Sequence, residues 1–422
     1  MSRCRLSILG IVGCLFLVPF FPVYGETITD LRTKITQRNT AIAILEKEIA
    51  DFQIQIETTG KETKTLQSTI RYIDLEQKKL SAEIKLTASK ITAVNLRLEE
   101  LSRDIHQKEG KIGISRDALS QTIRNLADAD KRTLIEIMLS GGTLSTVWGK
   151  VDDLKRFEAH VRDDMNSTKE LKAGLEEVQT ETEMNRKKLV SLRADLGDKN
   201  AMLAQNKKAK SELLLTTKNK ETEYRKILAQ QVAKRNVFEK ELLAFESELR
   251  FAIDPSRLPP SGSGVLLWPL DVIKITQEFG DTAFAKSGAY NGKGHNGVDF
   301  KAAVGTRVKA TLSGIVKGIG DTDTVCPGAS YGKWVLIEHQ NGLSTLYAHF
   351  SLIKVTEGQG VATGEVIGYS GDTGYSTGPH LHVTVYATQG MRIMERKSSV
   401  CKGNYRMPVA DLKAYLNPLL YL

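Results

Sequence analysis

The sequence predicts a multidomain protein: an N-terminal all-α coiled-coil hairpin followed by a C-terminal all-β domain. Three observations predict it. The chain has 422 residues, more than one ordinary hydrophobic core serves. Its composition changes abruptly. From Glu26 to about Leu249 there is almost no Pro and little Gly, whereas from about Gly262 Gly is abundant and Val, Thr, Tyr and His become common. Between the two lies Asp254-Pro255-Ser256-Arg257-Leu258-Pro259-Pro260-Ser261-Gly262-Ser263-Gly264, a linker by composition. The expected segments are 1–25 (export signal), 26–250 (coiled coil), 251–264 (linker) and 265–422 (β-domain).

The first segment carries Arg3 and Arg5, then an apolar run from Leu6 to Tyr24. Pro19 and Pro22 interrupt that run, and Val23-Tyr24-Gly25 suits a cleavage site, so Glu26 is the expected mature N-terminus. About nineteen apolar residues are also just enough to span a bilayer as an uncleaved anchor. Ile11-Val12-Gly13-Cys14 loosely resembles a lipobox, but the apolar run continues well past Cys14. Export places the protein in the periplasm, at the inner membrane or division site. Of four cysteines, only Cys326 and Cys401 follow the signal. In an oxidising compartment they either pair or stand as two buried thiols. The formal charge of +9 falls by two with the signal. The remaining basic residues alternate with Glu and Asp along helical segments, the pattern of a solvated face, and nothing demands nucleic acid.

The coiled coil is read from steps of four and three. Leu45, Ile49, Phe52 and Ile56 follow them, as do Ile91, Val94, Leu98, Leu101 and Ile105. The steps recur at Leu171, Leu175 and Val178, at Leu189, Leu192 and Leu196, and at Phe238, Leu242, Phe245 and Leu249. Gly141-Gly142 breaks the pattern between arms of comparable length, which predicts an antiparallel hairpin folded there. Leu134, Ile135, Ile137, Met138, Leu144, Val147 and Trp148 cluster at this bend, as a partner-docking tip or as a small local core.

In the β-domain, Val335 to His339 and Leu343 to Tyr347 read as a hairpin around Gln340-Asn341-Gly342. The only helical pattern lies near Val409 to Tyr415. Five of the seven histidines fall in this domain. His295 and Asp299 stand four apart in a Gly-rich segment. His380 and His382 open an alternating strand, whose i and i+2 side chains share one face. His349 ends another strand. A catalytic zinc takes three ligands from His and carboxylate, keeps a position open for water and lowers that water's pKa to about 7. Further histidines can then orient the water and stabilise an oxyanion. His339, beside the Asn-Gly turn, is expected to be an exposed strand-end residue.

Gly294-His295-Asn296-Gly297-Val298-Asp299-Phe300, Leu346-Tyr347-Ala348-His349 and Gly378-Pro379-His380-Leu381-His382 resemble the three signature segments of the LytM/lysostaphin-type metallopeptidases. The resemblance covers about Trp268 to Tyr386. It implies a LytM-type (duplicated hybrid motif) fold of antiparallel sheets around a groove. It also implies one zinc ion per domain held by His295, Asp299 and His382, with His349 and His380 as the catalytic histidines. The implied substrate is the peptide cross-link or stem of peptidoglycan. Asp321 to Ser330 and Met391 to Tyr405 look longer than a minimal member of this family needs, and a Cys326–Cys401 bridge would tie these two segments together at the groove rim.

An export signal, a long coiled coil and such a domain also resemble the EnvC-type murein hydrolase activators, which have lost zinc ligands and activate cell-wall amidases. All five site positions are present here, which favours an endopeptidase. The alternative expectation is a non-catalytic activator. Either way, the coiled coil is expected to engage a membrane division complex or an amidase, and to cover the groove until a partner draws it away.

Overall fold

The computed structural model of the protein describes residues 27–60, 65–130, 144–262, 264–286 and 294–422. The expected export signal and most of the Leu134–Trp148 cluster, with Gly141-Gly142, lie outside the described residues. Among the described residues, four long helices precede a set of antiparallel strands. The helices are α1 (Ile28–Gly60), α2 (Leu66–Asp130), α3 (Leu144–Thr217) and α4 (Glu221–Glu248). Among the described residues, no helix is long and apolar enough to cross a membrane.

The chain divides into two compact units, Met1–Arg38 with Ala93–Arg186, and Asn39–Thr92 with Lys187–Leu422. The first is helical. Leu31, Val94 and Leu101 are buried in it, and Arg97 grips Glu181 at 2.8 and 2.9 Å while Arg32 reaches Glu100 at 2.7 Å. Arg32 is largely exposed, so its pair contributes at most about 1 kcal/mol and apolar packing carries this unit.

The second unit holds the other helical segments and the β-domain. Asp74 pairs with Lys210, and Thr87 bonds Asp195 at 3.3 Å, so α2 and α3 run antiparallel as the hairpin expectation requires. α1 also folds back on α2: Glu46 meets Lys90 at 2.9 Å, and Ile56 packs with Tyr72 and Leu75. The sequence reading contained no reversal between α1 and α2. α2 opens on a reciprocal cap in which Thr65 N–H donates to Ser68 Oγ and Ser68 N–H to Thr65 Oγ1, both at 3.1 Å.

The β-domain has a main antiparallel sheet of β1 (Ile275–Gln277), β2 (Val298–Lys301), β10 (His380–Ala387), β6 (Leu343–Ala348), β5 (Lys333–Glu338), β4 (Gly314–Asp321) and β8 (Gly360–Val361), in that order. β13 (Tyr415–Leu416) also pairs with β10. A second sheet orders β3 (Arg307–Lys309), β9 (Val366–Ser370) and β7 (Phe350–Ile353), and β11 (Met391–Lys397) pairs with β12 (Asn404–Ala410). The alternation of strand side chains sorts the core into two layers. Val335 and Ile337 of β5, Tyr347 of β6 and Leu381, Val383 and Val385 of β10 face one. Trp334, Leu336, Leu346, Ala348 and Tyr386 face the other, where the β11–β12 hairpin and α4 cover them.

Three expectations change here. The Phe238, Leu242, Phe245, Leu249 stripe packs on the β-domain, with the Phe238 ring against Tyr405 at 4.9 Å, and does not form a helix–helix seam. Val409 to Tyr415 is not helical. It comprises the end of β12, a short 3₁₀ turn (Leu412–Ala414) and the start of β13. His339 is not exposed. It is 4 % accessible, with Nδ1 at 3.0 Å from Ser313 O and Nε2 at 2.8 Å from Thr345 Oγ1. Cys326 and Cys401 are disulfide-bonded. The 251–264 segment is anchored to the domain: Phe251 N–H donates to Asp411 at 3.2 Å and Gly262 N–H to Leu420 O at 2.8 Å.

Burial holds the His339 imidazole below its ordinary pKa. The unfolded chain therefore binds a proton that the folded chain refuses, and this contribution to stability is complete above about pH 6.5 and is lost as pH falls toward the depressed folded value. His339→Gln should show a shallower loss of thermal midpoint between pH 7.5 and 5.5 than wild type. Equal slopes would contradict the assignment.

Candidate metal and catalytic site

Strand pairing assembles the site. On the β2–β10 ladder Asp299 lies opposite His382, and on the β10–β6 ladder His382 lies opposite Ala348, so His349 follows at the end of β6. His295 is set just before β2 by a two-way backbone bridge with Gly280, at 2.7 and 2.8 Å. Gly294 has φ +78° here, and a Cβ on it would meet the Gly280 carbonyl carbon at 2.9 Å. Gly297 is required by contact: its Cβ would lie 2.4 Å from Val383 O and 2.7 Å from the His382 ring. The glycines of the His295–Asp299 segment thus let two strands bring their side chains to one point.

His295 Nε2 lies 3.2 Å from Asp299 Oδ1 and 3.0 Å from His382 Nδ1, and His382 Nδ1 lies 2.8 Å from Asp299 Oδ1. All three residues are buried. The outer nitrogens are engaged elsewhere: His295 Nδ1 donates to Glu278 O at 2.9 Å, and His382 Nε2 bonds Thr384 Oγ1 at 2.8 Å. The neutral tautomers therefore present three lone-pair atoms to one point. Buried acceptors converge in this way only around protons or a cation, and a His₂–carboxylate set suits zinc. Burial alone would raise the Asp299 carboxyl, but the hydrogen bonding and charge that His295 and His382 supply when a ring takes up a second proton outweigh it and hold Asp299 well below the usual carboxylate range. Burial pushes the His382 imidazole down, against the pull of Asp299.

His349 and His380 stand beside this set, their ring centroids 4.5 Å apart. His349 has φ +63°, a left-handed conformation that costs a non-glycine residue about 1 kcal/mol. Its N–H donates to Tyr331 O at 3.0 Å and its Nδ1–H to Thr373 O at 2.6 Å. His380 Nδ1 donates to Gly378 O at 2.7 Å, and its Nε2 lies 3.6 Å from Asp299 Oδ1. Both rings thus keep Nε2 for chemistry. Burial, then the charges of His380 and His382, holds the His349 imidazole well below its ordinary value.

All five expected site residues meet in one cavity of about 330 Å³. Two features of its lining were not anticipated. Tyr331 accepts from Asn296 Nδ2 at 3.1 Å and bonds Tyr386 OH at 3.0 Å, with burial pushing its phenol pKa up. Glu239, Leu242, Leu243 and Glu246 of α4 form part of the wall. Glu239 accepts from Ser330 N–H at 2.6 Å, and Glu246 accepts from Tyr415 OH at 2.8 Å.

Residues 293–394 match the model of peptidase family M23. The DD-carboxypeptidase/endopeptidase Mpg of Neisseria meningitidis is 47% identical over 88 residues, 21% of this chain and 19% of that protein. The peptidoglycan DD-endopeptidase ShyA of Vibrio cholerae is 43% identical over 89 residues, with coverage of 21% and 19%. The chain spans about a fifth of the length of these curated relatives. Among solved structures, the catalytic domain of lysostaphin from Staphylococcus simulans aligns at 28% identity and TM-score 0.26, covering 35% of this chain and 90% of that one.

Proposed function

We propose that the protein is an exported zinc metallo-endopeptidase that hydrolyses peptide cross-links of peptidoglycan, with access to its site governed by the helical region. The observation that carries this reading is the convergence of His295 Nε2, Asp299 Oδ1 and His382 Nδ1 beside His349 and His380 in one cavity. The M23 match, the DD-carboxypeptidase/endopeptidase Mpg and the peptidoglycan DD-endopeptidase ShyA support the reaction class. The Cys326–Cys401 bond supports an oxidising compartment outside the cytoplasm.

Bound at the three ligands, a zinc ion would supply Lewis-acid activation of water and polarisation of the scissile carbonyl. The chain's own residues do the rest. Glu278 O and Thr384 fix the ligand rings, so the set is pre-ordered. His349, held neutral and fixed through Nδ1, offers Nε2 as a proton acceptor at neutral pH. His380, fixed through Gly378 O, sets a second Nε2 beside the site; in the ring's doubly protonated form this Nε2–H would donate to the developing oxyanion or pass its proton to the departing amine. The wall that α4 builds into the cavity supports the regulatory part: docked, the helix takes up space that a peptide needs.

Chelation tests the reaction class. Full-length protein stripped of metal should release no new amino groups from purified peptidoglycan, and one equivalent of zinc should restore release. Undiminished cleavage after metal removal would refute the proposal.

A further inference from the structure

The contacts α4 makes inside the cavity have a chemistry of their own. Arg235 and Glu239 are one helical turn apart and share a face. The Arg235 guanidinium lies over the Tyr375 ring, 4.4 Å from its centroid, and Glu239 Oε1 takes the Ser330 N–H at 2.6 Å. The two receiving residues form one unit, because Tyr375 N–H donates to Ser330 O at 2.7 Å. Ser330 has φ +51°, and it adjoins Tyr331, whose carbonyl holds the His349 backbone. Ser330, Tyr375, His349 and all three metal-type ligands line the same cavity. A cation on an aromatic face and a carboxylate on an adjacent backbone N–H are the two halves of a zwitterion's binding site.

We infer that Ser330 N–H and the Tyr375 ring form a substrate subsite for an α-amino carboxylate, the zwitterionic end of a diamino acid in a peptidoglycan stem, and that α4 occupies it as a substrate mimic through Glu239 and Arg235. The inference rests on the peptidase reading and adds to it the class of group recognised. It also gives the helix a chemical reason to sit where it does. Burial pushes the Glu239 carboxyl up to about 7, so the helix holds this position at a cost that a well-placed ligand can exploit.

The test uses full-length protein and three synthetic stem tripeptides: one ending in meso-diaminopimelate, its distal carboxamide, and its distal deamino analogue. Binding is read calorimetrically, independently of cleavage. Arg235→Ala combined with Glu239→Ala should bind the zwitterionic tripeptide about tenfold more tightly than wild type, and should bind each of the other two about tenfold more weakly than the zwitterion. Tyr375→Leu added to that pair should erase the preference for the ammonium and leave the preference for the carboxylate. Thermal melts check that each variant folds, and Glu239→Gln, which keeps side-chain size, should give a smaller gain in the same direction. Equal binding of the three tripeptides overturns the subsite, and no gain in the double variant overturns the mimicry. Selective binding without any cleavage would count against the peptidase reading and leave the subsite standing.

Discussion

Asp299→Ala should remove both zinc and activity: the variant is expected to purify with less than about a tenth of an equivalent of zinc, and its kcat/KM on cross-linked peptidoglycan should fall by about four orders of magnitude. The magnitude follows from position. Asp299 Oδ1 is within 3.2 Å of His295 Nε2 and within 2.8 Å of His382 Nδ1, so its loss leaves two buried imidazoles with no anion between them. His349→Ala separates binding from chemistry. His349 makes no contact expected of a ligand, and its Nδ1 is spent on Thr373 O. Zinc content should stay near one equivalent while kcat falls about a thousandfold, within the range for losing a positioned acid–base group. A metal assay and a chromatographic count of cleaved cross-links separate the two variants. Parallel loss of zinc in both would mean that His349 belongs to the ligand set.

Phe238→Asp should raise activity. The Phe238 ring is 1 % accessible and packs against Tyr405, so a carboxylate there costs the docked helix about 3–5 kcal/mol. Glu246, itself buried, also accepts from the Ala410 N–H of β12 at 3.3 Å. The remaining polar contacts of α4 with the hairpin lie at the rim: Glu241 accepts from Ser398 and Ser399, and Arg396 lies over Phe245 at 3.9 Å. They are partly exposed and do not replace a buried aromatic. A loss of about 3 kcal/mol shifts a docking equilibrium by roughly 150-fold, so cleavage should increase on the order of 10- to 100-fold, with zinc content unchanged. Unchanged cleavage, with the helix shown to be displaced by increased proteolysis between Lys220 and Arg250, would remove α4 from any regulatory role.

The site was legible because its chemistry is written in short segments. Strand alternation alone places His380 and His382 on one face, and pairing with β2 delivers Asp299 to the same place. The disulfide partners were also the only two cysteines beyond the expected signal segment. What was not legible depends on partners distant in the chain. Steps of four and three describe one apolar helix face and do not say whether a helix or a sheet covers it, so the Phe238 stripe looked like a coiled-coil seam. Between α1 and α2 the sequence has no glycine pair of the kind that led to the hairpin expectation, and a Thr-x-x-Ser cap is a faint signal. His339 seemed exposed because its neighbours in sequence are a turn, whereas Ser313, just before β4, and Thr345 of β6 enclose it. Val409 belongs to a strand despite the adjacent Pro408, because among the described residues β12 pairs only with β11 and tolerates a proline at an edge.

The most direct test pairs zinc content with muropeptide products for Phe238→Asp and for the same variant carrying His349→Ala. The account predicts one zinc per chain in both, with cross-links cleaved by the first alone. Zinc in both with cleavage by neither, together with equal stimulation of a cell-wall amidase, would contradict it and make this domain a non-catalytic activator.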